Sequence, residues 1–527
     1  MLFNSYEFIF FFLPVALIGY FWLSKKRLTT ASKAWLVFAS LFFYSWWNVI
    51  YLPLILISIL FNFTIGSTIS KIIFSSIKSS NTFDSLSLNG KPTDLVKRSK
   101  TVISQKTLLT FGIVCNLSLL GYFKYMDFFI SNANILLGSH IDLLHIVLPL
   151  GISFFTFTQI AYLVDAYRGE VKEMDYLNYT LFVTFFPHLL AGPILHHKEM
   201  MPQFDNIRNK VLNYKNLSLG LFLFSIGLFK KVVIADTFAP WANTGFETTS
   251  ALTLFEAWAT SISYTFQLYF DFSGYTDMAL GSALMFNIRL PFNFNSPYKA
   301  LSIQDFWRRW HMTLSRFLRD YIYIPLGGNR LGEFRTYTNL FTVFLIGGLW
   351  HGASWMFVIW GAMHGLAIVI HRAWSESIKP KIKATIGKSK DELFGKWATV
   401  LAWLITFNFI NLTWVFFRAK DMDKAMNVIS GMIGENGVIV SEEYFVKIKF
   451  LRSFIASHQS LFHICLVESD TVIYLTLAFI IALAFKNSQQ QTIDFRPSWK
   501  ELLIMLTILI YSIFNLSKVS EFLYFTF

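Results

Sequence analysis

Charge is scarce in this sequence. Asp, Glu, Lys and Arg supply 15% of its 527 residues, against 54% hydrophobic residues and a mean hydropathy of +0.49. A soluble domain carries about 25% charged residues, so most of this surface cannot be facing water. Length by itself would suggest roughly three or four soluble domains, but that expectation fails when the apolar runs are membrane spans. Cysteine is almost missing. Cys115 and Cys465 both lie in apolar surroundings, which offers neither a disulfide framework nor a ligand cluster of zinc spacing and argues against redox chemistry. No internal repeat is visible, which weakens a reading as a transporter with duplicated halves. The Gly-x-Ser-x-Gly elbow of serine hydrolases and the His-Glu-x-x-His of metalloproteases are both lacking.

Aromatic residues are abundant. Phe occurs 58 times and aromatics reach 18%, which suits lipid-facing and interfacial positions. The net charge of +13 does not point to nucleic acid, because the basic residues fall mostly in short segments between apolar runs and no RNA- or DNA-binding motif accompanies them. The run Phe8 to Leu23 has no positive residue before it and is followed by Lys25, Lys26 and Arg27, which is the reverse of a cleaved signal peptide. The polarity predicts a retained first helix with its N-terminus outside. Trp35 to Ile50 then crosses outward, with Trp46, Trp47 and Tyr51 at the outer interface, and Leu52 to Ile69 returns. That parity predicts a cytoplasmic, basic loop over 71–106, where Lys71, Lys78, Lys91, Lys97, Arg98, Lys100 and Lys106 face only Asp84 and Asp94. A second basic loop, 372–396, is assigned to the cytoplasm for the same reason. The remaining apolar segments bring the expected total to roughly eleven to thirteen embedded helices in an all-α, polytopic protein, taken as one transmembrane domain over 1–527.

Polar chemistry concentrates in one stretch, 264–371. Pro291, Pro297 and Pro325 forbid a continuous helix there, and broken backbone at membrane depth is tolerated only inside protein or against a wet cavity. Two histidines stand out within it. His351 sits in Ile346-Gly-Gly-Leu-Trp-His351-Gly-Ala-Ser-Trp355, almost without charge nearby, and His311 sits in an Arg-rich segment running from Gln304 to Asp320. An ionisable ring in such a setting is costly without a partner or a task. The plain structural alternatives are a packing histidine at 351 and an amphipathic interfacial helix at 311. If that segment is helical, His311 shares a face with Ser315 and Arg308, and Arg316 pairs with Asp320. Gly347, Gly348 and Gly352 allow close approach to His351 by neighbouring backbone or by a slender substrate. Imidazole suits acyl transfer because it takes a proton from a hydroxyl near neutral pH. Ser354 beside His351 has no third member of a triad, and the adjacent His196 and His197 point to different helix faces, so no metal site is expected.

The quoted segments resemble the membrane-bound O-acyltransferase family, in its bacterial polysaccharide-acetylating branch, and are similar also to the teichoic-acid D-alanine exporters. The likeness runs from Met1-Leu-Phe-Asn-Ser-Tyr-Glu-Phe through Phe186-Pro-His-Leu-Leu-Ala-Gly-Pro193, Phe270-Asp-Phe-Ser-Gly-Tyr-Thr-Asp-Met-Ala279 and Phe292-Asn-Phe-Asn-Ser-Pro297. It continues through the segment Trp307 to Asp320, Tyr323-Ile-Pro-Leu-Gly-Gly-Asn-Arg330, Leu349-Trp-His-Gly-Ala-Ser-Trp355 and the terminal Phe522-Leu-Tyr-Phe. The resemblance implies a ring of tilted and broken helices around a central catalytic tunnel, with His351 as the catalytic histidine and His311 as the second. Arg316, Asp320, Ser315, Asp271, Asp277, Trp350 and Trp355 are the candidates for substrate binding; Asp271 and Asp277 read equally as structural caps or pairs. The resemblance further implies no bound cofactor, an acyl donor such as acetyl-CoA or another thioester, and a place in the bacterial inner membrane. The partner it implies is a periplasmic or membrane-anchored Ser-His-Asp (SGNH-like) esterase that passes the acyl group to a polysaccharide. A long-chain lipid or protein O-acyltransferase and a transporter or flippase are the rival readings.

Overall fold

The computed structural model describes residues 1–86, 104–171, 175–378, 391–438, 469–516 and 523. Among them every regular element is helical. Six helical runs are long and apolar enough to cross a membrane: Glu7–Lys25, Val49–Ile73, Gln105–Leu137, Tyr214–Glu247, Trp355–Ser377 and Lys396–Arg418. A bent pair, Asp470–Ala484 and Ser488–Asp494 with 50° between them, makes a seventh if taken as one span. The chain divides into two compact units, Met1–Gly220 with Ala279–Pro291, and Leu221–Met278 with Phe292–Phe527.

In the first unit, α1 (Glu7–Lys25), α2 (Thr29–Ser45), α3 (Leu52–Leu86), α4 (Gln105–Leu137), α5 (Ile152–Tyr167), α6 (Tyr176–Thr184) and α7 (His197–Asp205) follow in order. The predicted second crossing is shifted. Its helix ends at Ser45, because Asn48 Oδ1 accepts the Ile50 N–H at 3.0 Å and starts a separate turn, leaving Trp46 and Trp47 exposed as the interface reading requires. The predicted loop from 71 is instead helix as far as Leu86. The apolar window closes at Ile73, but no Gly or Pro lies between Gly66 and Gly90 to stop the helix. The basic residues Lys91, Lys97, Arg98 and Lys100, Cys465, and residues 379–390 of the second basic loop lie outside the described residues; of the terminal motif only Leu523 is described.

Five polar side chains from α3, α4, α5 and α6 are buried together in this unit. Asn62 Nδ2 donates to Gln159 Oε1 at 2.7 Å, Asn116 Nδ2 donates to Asn62 Oδ1 at 2.6 Å, and Gln159 Nε2 donates to Ser58 Oγ at 3.1 Å. Tyr179 adds its hydroxyl to Gln159 Oε1 at 3.4 Å. Amides bonded across helices in this way hold spans together where the lipid offers no hydrophobic drive.

α8 (Tyr214–Glu247) and α9 (Leu254–Met285) lead into the second unit. Beyond them come two short helices, α10 (Ile303–Trp307) and α11 (Met312–Leu318). There follow α12 (Glu333–His351), α13 (Trp355–Ala373), α14 (Asp391–Arg418) and α15 (Met422–Met432), and finally α16 (Ser469–Ala484), α17 (Ser488–Asp494) and α18 (Trp499–Phe514). The core is aromatic, with Tyr264, Phe266, Phe306, Trp360 and Trp414 almost wholly buried. α12 and α13 form a tight hairpin whose faces meet at glycine. A Cβ on Gly348 would stand 2.3 Å from the Phe357 carbonyl oxygen, and one on Gly361 2.6 Å from that of Phe344. Gly348 therefore serves helix packing, the close-approach device of membrane helix pairs.

Candidate functional site

The hairpin sets His351. It is the last residue of α12, after which Gly352 turns extended and Ser354 caps α13 by accepting the Met356 N–H at 3.2 Å. Ser354 is thus a cap. The His351 ring is 7% exposed and is walled by three aromatic rings: Trp350 at 5.0 Å, Trp360 at 5.2 Å and Phe417 at 5.1 Å between centroids, all at steep angles. A Cβ on Gly352 would fall 2.1 Å from the Phe357 ring, so the turn that ends the helix beside His351 has no room for a larger residue.

His311 is not on a helix. The predicted amphipathic helix breaks after Trp307, His311 takes a left-handed conformation (φ 42°), and a new helix begins at Met312. The expected shared face of Arg308, His311 and Ser315 does not form; Ser315 reaches back across the break, its Oγ donating to the Trp307 carbonyl at 3.2 Å. A non-glycine residue at positive φ is strained and persists only where its surroundings insist. Here Asn293 insists. Its carbonyl accepts the Met312 N–H at 3.0 Å, and its Oδ1 accepts from the Thr313 N–H at 3.2 Å and the Thr313 hydroxyl at 2.6 Å. The same Oδ1 lies 3.3 Å from His311 Nδ1. An amide oxygen only accepts, so this contact is a hydrogen bond in the tautomer that carries its proton on Nδ1 and its lone pair on Nε2. Nε2 has no hydrogen-bond partner among the described residues. The ring is fully buried, with Phe272 edge-on at 4.9 Å.

Trp350 joins the two histidines, its ring 6.3 Å from His311 and 5.0 Å from His351. The series continues on the far side. Trp360 lies 4.7 Å from His364, another buried histidine, one that sequence reasoning passed over. Its Nδ1 accepts from Trp307 Nε1 at 3.2 Å and its Nε2 donates to Thr413 Oγ1 at 3.0 Å, so both ring nitrogens are used. The same rule that singled out His351, a lone imidazole in an apolar helix, would have found it. Asn293 was visible only as part of a motif.

The other candidates disperse. Trp350 is buried in the series, whereas Trp355 is 57% exposed at the start of α13. Asp320 is held by Arg319 at 2.7 Å, and Arg316 lies in the last turn of α11. Asp271 is paired with buried Lys231 at 2.7 Å, a lysine that also binds Asp236 at 2.8 Å. Asp277 is paired with Lys230 at 2.7 Å and accepts from Ser488 Oγ at 2.5 Å. Both aspartates therefore have structural partners. No group of three or more metal-binding side chains occurs among the described residues, His196 and His197 included.

The described residues form at least six membrane-length helices with His311 and His351 buried among aromatic rings, and the chain belongs to the membrane-bound O-acyltransferase family, whose model matches residues 8–385. It is a multi-pass membrane enzyme of the O-acyltransferase class. Over its whole length the chain is similar to the peptidoglycan O-acetyltransferase of Helicobacter pylori, at 47% identity covering 100% of this chain and 98% of that one. It is 37% identical to the probable alginate O-acetylase AlgI of Pseudomonas aeruginosa, covering 93% and 84%. A shorter likeness, 28% over 51% of this chain and 68% of the other, links it to the teichoic acid D-alanyltransferase of Streptococcus thermophilus.

Proposed function

We propose that this protein moves an acetyl group from a cytoplasmic thioester to the hydroxyl of an extracytoplasmic glycan, usually through an esterase-like partner, with His351 as general base. The reading is supported above all by the two histidines that flank Trp350, one of them with an open lone pair. His351 takes the proton of the attacking hydroxyl, the oxygen bonds to the thioester carbonyl, and the thiolate leaves and recovers the proton. The C-terminal end of α12, where His351 stands, is the end of a helix that favours the positive charge the ring then carries. His311 Nε2 accepts a hydrogen bond from the substrate and orients it. Exclusion of water by the three rings around His351 prevents hydrolysis of the thioester.

The name of the Helicobacter relative supports a glycan of the cell wall as final acceptor, and that of the Pseudomonas relative an exopolysaccharide. The run of positive residues after Glu7–Lys25 supports an extracytoplasmic N-terminus in an inner membrane.

Purified protein in lipid nanodiscs, supplied with labelled acetyl-CoA or a labelled long-chain acyl-CoA, tests the reading. Label should leave acetyl-CoA only. Transfer from the long-chain donor alone overturns the acetyl assignment. Near-normal glycan acetylation by cells carrying His351→Ala overturns the role of the histidine.

A further inference from the structure

Away from the histidine series, the second unit contains a cavity of about 540 Å³ between α8, α16, α17 and α18. Its walls are hydrocarbon: Phe222 and Ile226 of α8, Ile481 of α16, Ile504 and Ile508 of α18. Its floor is polar, because α16 and α17 break apart there over Phe485, Lys486 and Asn487 with a bend of 50°. The break leaves polar side chains and helix-end backbone groups facing the cavity, where they can meet a polar occupant. Asn487 Nδ2 is spent on Asn295 Oδ1 at 2.8 Å and Ser296 Oγ at 2.9 Å.

The charges on the lining have both signs. Lys230 donates to Asp277 at 2.7 Å and to Ser488 Oγ at 2.6 Å, and an ammonium has three N–H donors, so one is left for the cavity it lines. Lys486 pairs with Asp494 at 2.7 Å, and both line the cavity. Glu501 lines it too, and its carboxylate has no cationic partner among the described residues. Lys230 and Lys486 with Asp494 and Glu501 put both signs on one lining, which does not suit an anion alone. They suit a head that carries a phosphate and an N–H-bearing cation a few atoms apart.

We propose that this cavity is a binding site for a zwitterionic phospholipid of the phosphatidylethanolamine kind. The phosphate binds Lys230 and Lys486, the ammonium donates to Glu501, and one acyl chain lies between α8 and α18. A quaternary choline head lacks the N–H groups that Glu501 would accept, and a glycerol head lacks the charge.

The test uses the intact protein in nanodiscs containing ethanolamine, choline or glycerol phospholipids, each with a photoactivatable diazirine in the acyl chain. Cross-linked peptides are mapped by mass spectrometry. The ethanolamine lipid should label the peptide holding Ile504 and Ile508 well above the other lipid-facing helices. Filling the cavity by Ile504→Trp, or separately by Ile226→Trp, should lower that label by about tenfold. Removing the anion by Glu501→Gln should erase the preference over the choline lipid. Label spread evenly over the lipid-facing helices, equal label from all three heads, or a site protected only by a protein segment would each overturn the proposal. The distribution on the unaltered protein decides this even if a variant fails to insert.

Discussion

Each of the two units buries a cluster of polar side chains among apolar helices, and the clusters differ in what is left open. In the first, Ser58, Asn62, Asn116, Gln159 and Tyr179 bond to one another, and the cluster lies in regular helices. In the second, His311 is fully buried at positive φ with Nε2 open, and it shares Trp350 with His351. A satisfied polar group in lipid is glue; a strained one with a spare lone pair costs stability and therefore asks for a function. The separation of the two roles is what mutation can break.

The largest effect belongs to His351→Ala. Acetylation should fall to background while the protein inserts normally, since the ring's walls are aromatic neighbours that survive its loss; glycan acetyl content against membrane-inserted protein checks this. Next comes His311. Its replacement by Ala should lower the rate by about 10²-fold, toward the low end of what proton-transfer assistance supplies. His311→Gly, which relieves the strain at φ 42°, should be more stable than His311→Ala and no more active. If His311→Gly recovered activity, the ring would be merely structural.

The first unit should behave in the opposite way. Asn62→Leu leaves Asn116 and Gln159 short of a partner and should cost about 1–3 kcal/mol, seen as a lower thermal midpoint, with turnover per folded molecule unchanged. Smallest of all, Ser315→Ala removes one hydrogen bond to the Trp307 carbonyl and should cost about 0.5–1.5 kcal/mol with little change in rate. A large loss of rate there would place Ser315 in substrate binding.

Legibility followed the range of the forces involved. Hydrophobic runs are local, so the expected spans Phe8–Leu23 and Leu52–Ile69 lie inside the observed Glu7–Lys25 and Val49–Ile73, while helix ends such as Leu86 were not found, because composition marks where lipid stops and says little about where a helix does. Lone charges in apolar sequence are local too, which is why His351 stood out. His364 should have been found by the same argument. The break at His311 was hidden, since its cause is Asn293, eighteen positions away.

The sequence by itself determined that the chain is a helical membrane protein, that broken, polar sequence is concentrated in one stretch, and that two histidines there need an explanation, because burial of apolar runs and the cost of intramembrane charge are properties of short segments. Only the tertiary structure decided that the two histidines flank one tryptophan, that Asp271 and Asp277 are held by lysines, and that Asn293 pins the turn at His311. Those are pairings between distant positions, and a hydrogen bond of about 3 Å depends on where the whole chain has brought its partners.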